Sequence, residues 1–167
     1  IKQDNIEIFS ETKIKFCLQK KQLGTGDAVK IAFKNLKIVS KYTLILYGDT
    51  PFIAKGTIKR MISKADRGFD FVFLGFQSLT KNSYGKFKTG PKRTLIDIIE
   101  KDEPGYNTSE SLSNSGILLA RTNVAEDIVK KIKNKNAKQE YYLTDIVKMA
   151  AERGHSSTYV QCEEDEC

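Results

Sequence analysis

The stretch YTLILYGDTPF, Tyr42 to Phe52, decides how the chain is read. Tyr42 to Tyr47 is a short apolar run of strand length with no helical period, and Gly48 stops it. Such a run is expected where a strand is buried on both faces, inside a layered α/β domain. Ligands of open α/β sheets bind beyond the carboxyl ends of strands. Gly48 and Asp49 stand at such an end. Gly48 lets backbone or ligand come close, and Asp49 offers a hard oxygen to a divalent cation. A Gly-Asp pair also opens many ordinary turns, so the pair alone leaves both readings open.

Working outward, helices and strands alternate. Asp27 to Leu36 reads as a helix with Ala28, Ile31 and Ala32 on one face. Thr57 to Ser63 is a second helix, and Phe69 to Phe76 a second strand, rich in aromatic and β-branched residues. Short strands follow, divided by turns at Gly85, Gly90-Pro91 and Pro104-Gly105. Ser115 to Ala120 is another buried strand. Val124 to Lys133 is an amphipathic helix with Val124, Ile128, Val129 and Ile132 inward. A last helix starts near Thr144 or Asp145, buries Ile146, Val147 and Ala150, and has Gly154 at its C′ position. Ser157 to Cys162 closes the series as a strand. The alternation predicts an α/β layered fold with a mostly parallel sheet. No internal repeat or low-complexity segment occurs.

Composition narrows the chemistry. With 167 residues, 40% of them hydrophobic, the chain is long enough for one domain with a real core. No window approaches the apolar length of a membrane span, and no secretory segment opens the chain. Ile1 and the residues after it read as mid-domain sequence, so a preceding segment is expected. Cys17, Cys162 and Cys167 are an odd set with no CxxC pair, which argues against a disulfide framework or a thiolate zinc site. The single histidine, His155, follows Gly154 in a helix exit and reads as a surface loop residue. The formal charge of +7 raises nucleic acid as a partner. However, the densest run, Lys130 to Lys138, lies at a helix end, where lysines complement the helix dipole. No nucleic-acid-binding motif is present, and the acidic CEEDEC ending would repel phosphates. A phosphorylated small molecule accounts for the positive bias as well as a polymer does.

Two further motifs carry open alternatives. LQKKQLGTGDA, Leu18 to Ala28, precedes a helix but has neither P-loop nor dinucleotide-fingerprint spacing. Its glycines either let a flat base lie against backbone, with Gln19 or Gln22 reading the base edge, or form a plain loop. In NKNAKQEYYLTD, Asn134 to Asp145, Thr144 at a helix start is either an N-cap or a hydroxyl held where a helix N-terminus attracts phosphate.

LQKKQLGTGDAV, LILYGDTPFI, SYGKF, IIEKDEP, SNSGILL and NAKQEYYLTDIV, in this order and spacing, closely resemble the N-terminal uridylyltransferase domain of the bacterial GlmU family. Together QLGTG, LYGD and EYYLTD are highly specific, and the resemblance runs from about residue 10 onward. It implies a Rossmann-like nucleotidyltransferase fold, a mostly parallel mixed sheet flanked by helices and incomplete at both ends. Residues 1–167 would form a single partial domain of the MobA-like NTP transferase class. The implied reaction joins UTP to N-acetylglucosamine 1-phosphate, giving UDP-N-acetylglucosamine and pyrophosphate, in a bacterial cytoplasm. The resemblance assigns Gln19 and the Gly24-Thr25 backbone to uracil. It puts Tyr47, Gly48 and Asp49 in the nucleotide-sugar site, with Asp49 as the catalytic Mg²⁺ ligand. Gly85, Glu100 and Asn114 would hold the amino sugar, with Thr144 near its phosphate. The nucleophile is already an ionised phosphate, so positioning and charge neutralisation suffice and no histidine base is needed.

The family's glycine-rich GxGTRM loop and its following lysine match no residues here, and neither does its second Mg²⁺-binding asparagine. The hexapeptide repeats of the acetyltransferase β-helix, through which full-length members form trimers, are also unmatched. Asp27 stands where His is usual, Ser83-Tyr84-Gly85-Lys86 replaces GYGR, and Ser113-Asn114-Ser115-Gly116 replaces INTG. Lysine cannot reproduce a bidentate arginine contact. Three alternatives stay open at this level: another sugar-1-phosphate nucleotidyltransferase, an inactive nucleotide-sugar-binding fragment, and a basic nucleic-acid module.

Overall fold

The computed structural model describes residues 14–78, 82–106, 112–136 and 138–167. Residues 1–13, which include the mid-domain opening, lie outside the described residues. The elements in chain order are α1 (Thr25–Asn35), β1 (Tyr42–Ile45), α2 (Lys55–Asp66), β2 (Phe71–Phe76), β3 (Lys86–Thr89), β4 (Leu95–Ile99), β5 (Ser113–Arg121), α3 (Thr122–Val129), α4 (Ile146–Ala151) and β6 (Ser157–Cys162).

Six strands form one sheet in the order β4-β3-β5-β2-β6, with β1 also paired to β5. The expectation of a mostly parallel sheet is corrected here. The pairs β1–β5, β2–β5, β3–β5 and β3–β4 are antiparallel, and β2–β6 alone among the described strands is parallel. The reason is β5, which runs against the three strands that share it. An apolar run does not fix direction: β5 is buried along most of its length yet antiparallel, and the Tyr42–Tyr47 run, expected to be buried on both faces, is a strand only over Tyr42–Ile45, half-buried and paired with β5 alone. The layered α/β arrangement itself is as expected.

β2, FVFLGF, is buried at every position. Alternate side chains point to opposite faces, so it feeds two cores. Phe71 and Phe73 join Leu118 and Ala120 of β5 under α1, α3 and α4, which contribute Phe33, Ile128, Val129, Ile146 and Val147. Val72, Leu74 and Phe76 join Ile117, Leu119 and Val160 on the other face, covered by Met61 and Ala65 of α2. Each fully buried Phe, Leu, Ile or Val stabilises by roughly 1.5–3 kcal/mol relative to exposure, so these two cores carry the fold. Gly75 sits at a register shift in β2, where a Cβ would stand 2.4 Å from Phe87 Cε2. The edge of the Phe87 ring fills that gap beside Phe73.

The helix expected over Val124 to Lys133 starts and ends earlier, at Thr122–Val129, although Ile132 stays buried in the following turn. The last helix is preceded by a 3₁₀ turn, Leu143–Asp145, and spans only Ile146–Ala151. No helix among the described residues is long and apolar enough to cross a membrane.

Candidate active site

A cleft of about 660 Å³ opens at the carboxyl ends of β1, β2 and β6. It collects Gly24, Thr25, Tyr47, Asp49, Gly85, Glu100, Asn114 and Thr144, which come from six separate stretches of sequence. Gln19 and Gly48 do not line it.

The glycines of LGTG are approached by the chain itself. Tyr141 N–H donates to Leu23 O and Gly26 N–H donates to Tyr141 O, both at 2.8 Å. Gly24 has φ +105°, and a Cβ there would stand 2.7 Å from Tyr141 O. A side chain would therefore meet both a left-handed backbone and a neighbouring carbonyl. The pairing brings QLGTG and EYYLTD, distant in sequence, to one rim of the cleft. Thr25 completes it by accepting from Leu143 N–H at 3.2 Å.

Tyr47 lies against Gly116, whose φ of +84° and missing side chain make room for the ring. Burial raises the Tyr47 phenol above its ordinary range, opposed by a hydrogen bond with Thr25. The ring thus links the end of β1, the middle of β5 and the start of α1.

Glu100 follows β4 and accepts a hydrogen bond from Thr144 Oγ1 at 2.9 Å on Oε1. Burial raises its carboxyl above the usual range, partly offset by that hydrogen bond. Thr144 makes no capping hydrogen bond, which corrects the N-cap alternative. Gly85 lies under Glu100, so that a Cβ would stand 3.2 Å from both carboxylate oxygens. Asn114 N–H donates to Gly85 O at 2.8 Å, and Asn114 Oδ1 accepts from Gly116 N–H at 3.1 Å. Its Nδ2 makes no hydrogen bond among the described residues, and Asn114 is one of the residues lining the cleft. Together these groups offer a carboxylate, an amide donor and a carbonyl within one half of the cleft.

Asp49 is exposed, and its carboxylate has no hydrogen bond or ion pair among the described residues. No cluster of three or more His, Cys, Asp or Glu side chains that could hold a metal occurs among those residues. A single free carboxylate at a strand end suits Mg²⁺, which takes one or two carboxylates and fills its other positions with waters and substrate phosphates. Gly48 borders open space, since a Cβ there would meet nothing within 4 Å. Gln19 is engaged elsewhere: its Nε2 donates to Asp27 Oδ2 at 2.7 Å and to Gly24 O at 3.3 Å. Asp27, found where the resemblance leads one to expect His, therefore holds the amide of Gln19.

The sequence reading missed Lys101, Lys138, Glu140 and Tyr142, all lining the cleft. Lys138 pairs with Asp102 at 2.9 Å. These residues lie in the same short motifs as Glu100 and Thr144, IIEKDEP and KQEYYLTD, and that shared motif was the available signal. Lys86 is buried, with Nζ donating to Asn82 Oδ1 at 2.8 Å and Ser113 Oγ at 2.7 Å. It lines a separate hollow with Asp97, Glu103 and Lys148, not this cleft. His155 is at the far end of the sheet, 3.3 Å from Asp70, and is only one-third exposed, less open than a surface loop residue.

Comparison with known proteins gives the class: a nucleotidyl transferase. Residues 2–165 match the nucleotidyl transferase family, and the chain belongs to it. Among its relatives is the bifunctional protein GlmU of Paracoccus denitrificans, 39% identical over 152 residues, 91% of this chain and 33% of that protein. The GlmU of the Wolbachia of Brugia malayi is 37% identical, covering 92% of this chain and 37% of the relative. That of Cereibacter sphaeroides is 38% identical, with 95% and 34% covered. The chain spans about a third of the length of these relatives.

Proposed function

We propose that the cleft is the nucleotide-sugar site of a UDP-N-acetylglucosamine diphosphorylase. UMP passes from UTP to N-acetylglucosamine 1-phosphate, and pyrophosphate leaves. The observation that carries this reading is the convergence of QLGTG, LYGD, SYG, IIE, SNSG and YLTD on one cleft. Membership of the nucleotidyl transferase family and the likeness to proteins named GlmU support it.

In this reading the uracil lies along the Gly24-Thr25 backbone. Gln19 reaches it by leaving Asp27, 2.7 Å away in the structure. The free Nδ2 of Asn114 donates to the N-acetyl carbonyl, and the Glu100 carboxylate accepts from sugar hydroxyls. Gly85, having no side chain, makes room for the Glu100 carboxylate that borders the ring. Thr144, hydrogen-bonded to Glu100, fixes that carboxylate and lies near the sugar phosphate. Tyr47 and Gly48 border the nucleotide-sugar path. Asp49 would hold Mg²⁺, and the ion would supply charge neutralisation at the phosphates. The attacking sugar phosphate is already ionised, so the residues position reactants instead of removing a proton. The exposed cation of Lys101 adds charge neutralisation at the rim.

Pyrophosphate release from UTP, N-acetylglucosamine 1-phosphate and Mg²⁺ tests the proposal. The expected result is release that Asp49→Ala abolishes. Release unaffected by Asp49→Ala, or equal release with glucose 1-phosphate, would sink the assignment of the metal ligand or of the sugar.

A further inference from the structure

Cys162 and Cys167 lie together although no sequence motif pairs them. Their sulfurs are 3.0 Å apart, with Glu163 to Glu166 between them in the chain. Cys162 ends β6 and is 6% exposed in the core beneath α2. Cys167 is partly exposed and lines the cleft. The turn between them is pinned from outside: Glu166 Oε2 accepts from Ala54 N–H at 2.9 Å and from Thr57 Oγ1 at 2.7 Å, at the start of α2. That anchorage holds Cys167 folded back onto Cys162.

We propose that Cys162 and Cys167 are a peroxide-sensitive dithiol that closes to a reversible disulfide in the wall of the cleft. A disulfide needs sulfurs about 2.05 Å apart, so closure asks for only about 1 Å of movement. The two thiols have different roles because their surroundings differ. Cys167 is reached from the cleft and attacks first; Cys162 is buried and resolves. Hydrogen bonds from Cys162 and with Ser115 lower the Cys167 thiol below its ordinary range, against burial and the nearby acids, whereas Cys162 is raised by its bond to Cys167 and by burial. The thiolate is the reactive form. Four consecutive acids, Glu163, Glu164, Asp165 and Glu166, flank the pair. They repel anionic disulfides such as oxidised glutathione and leave a small neutral hydroperoxide as the favoured oxidant.

The steps balance. The Cys167 thiolate attacks one peroxide oxygen, the O–O bond breaks, hydroxide leaves, and Cys167 becomes a sulfenic acid. The Cys162 thiol then attacks the Cys167 sulfur, the S–O bond breaks, and water leaves with the thiol proton. Overall, two thiols are oxidised and one hydrogen peroxide is reduced to two waters. Closure changes the side chain of Cys167, which lines the cleft beside Ser115.

The test uses the whole chain treated with hydrogen peroxide, then alkylated and analysed by peptide mass. The expected result is a Cys162–Cys167 peptide that loses two hydrogens and both alkylation sites, and regains both with dithiothreitol. Cys17 remains alkylatable at the same dose. In Cys162→Ser, dimedone labels Cys167; in Cys167→Ser, it leaves Cys162 unlabelled. The proposal is overturned if both thiols stay alkylatable at doses that oxidise Cys17, or if dimedone labels Cys162 in Cys167→Ser.

Discussion

The Tyr47 ring occupies the space that a side chain on Gly116 would need: a Cβ built there stands 1.9 Å from Tyr47 Cε2. Because Gly116 also has φ +84°, alanine is strained in the backbone as well as in the space. Gly116→Ala is expected to expel the Tyr47 ring and to cost about 1–3 kcal/mol in stability. Urea unfolding gives the cost. Quenching or chemical accessibility of Tyr47 reports whether the ring has left, and a variant with wild-type stability and a protected Tyr47 would refute the packing argument.

Gly24 and Gly48 separate fold from function. Gly24→Ala brings a Cβ within 2.7 Å of Tyr141 O and should destabilise by about 1–3 kcal/mol. Gly48→Ala meets open space and should leave the melting temperature unchanged. Any loss of nucleotide-sugar binding in Gly48→Ala then comes from the ligand side. Thermal unfolding and equilibrium binding on the two variants check both statements.

Glu100 carries a stability cost with a definite sign. Its folded carboxyl is raised, chiefly by burial, so the folded state holds its proton more tightly than the unfolded chain does. Stability is therefore lost as pH rises from the ordinary carboxylate value through the folded one, and the loss persists above it. Glu100→Gln removes that cost and can still accept from Thr144. At pH 7 it should melt at the same temperature as wild type or up to about 3 °C higher, while binding UDP-N-acetylglucosamine roughly tenfold or more weakly. Equal binding would remove Glu100 from the sugar site.

Asp70 behaves oppositely, at the other end of the sheet. Burial pushes its carboxyl up, but Ser156 N–H, Arg121 and His155 together bring it below the usual range. Arg121 Nε lies 2.8 Å from Asp70 Oδ1. The stability it contributes is present above the unfolded carboxylate pKa and is lost as pH falls through the lowered folded value. Asp70→Asn should cost about 1–3 kcal/mol at pH 7 and much less near pH 3 by urea unfolding. It should leave ligand binding unchanged.

The legible parts of this chain were those where one physical demand dominates. Phe69 to Phe76 read as a strand from its aromatic and β-branched residues, and Ser157 to Cys162 as the closing strand; the structure has strands at Phe71–Phe76 and Ser157–Cys162. Strand direction was not legible, because the apolar run of β5 is silent about orientation. In the site, LGTG posed its question correctly, but its partner was Tyr141, some 115 residues away, and no local pattern encodes that meeting. Thr144 read equally as a cap or as a hydroxyl for a phosphate, and no local pattern shows that Glu100 accepts its hydroxyl. Cys162 and Cys167 carry no spacing signal, and only the turn held by Glu166 brings them together.

The most direct test of the central claim is calorimetric titration of UDP-N-acetylglucosamine into this chain with Mg²⁺, repeated on Asn114→Ala. The account predicts saturable one-site binding, weakened roughly tenfold or more in the variant because the amide donor of Asn114 is lost. No binding by folded chain, or binding that Asn114→Ala leaves intact, would contradict the assignment of this cleft to a nucleotide sugar.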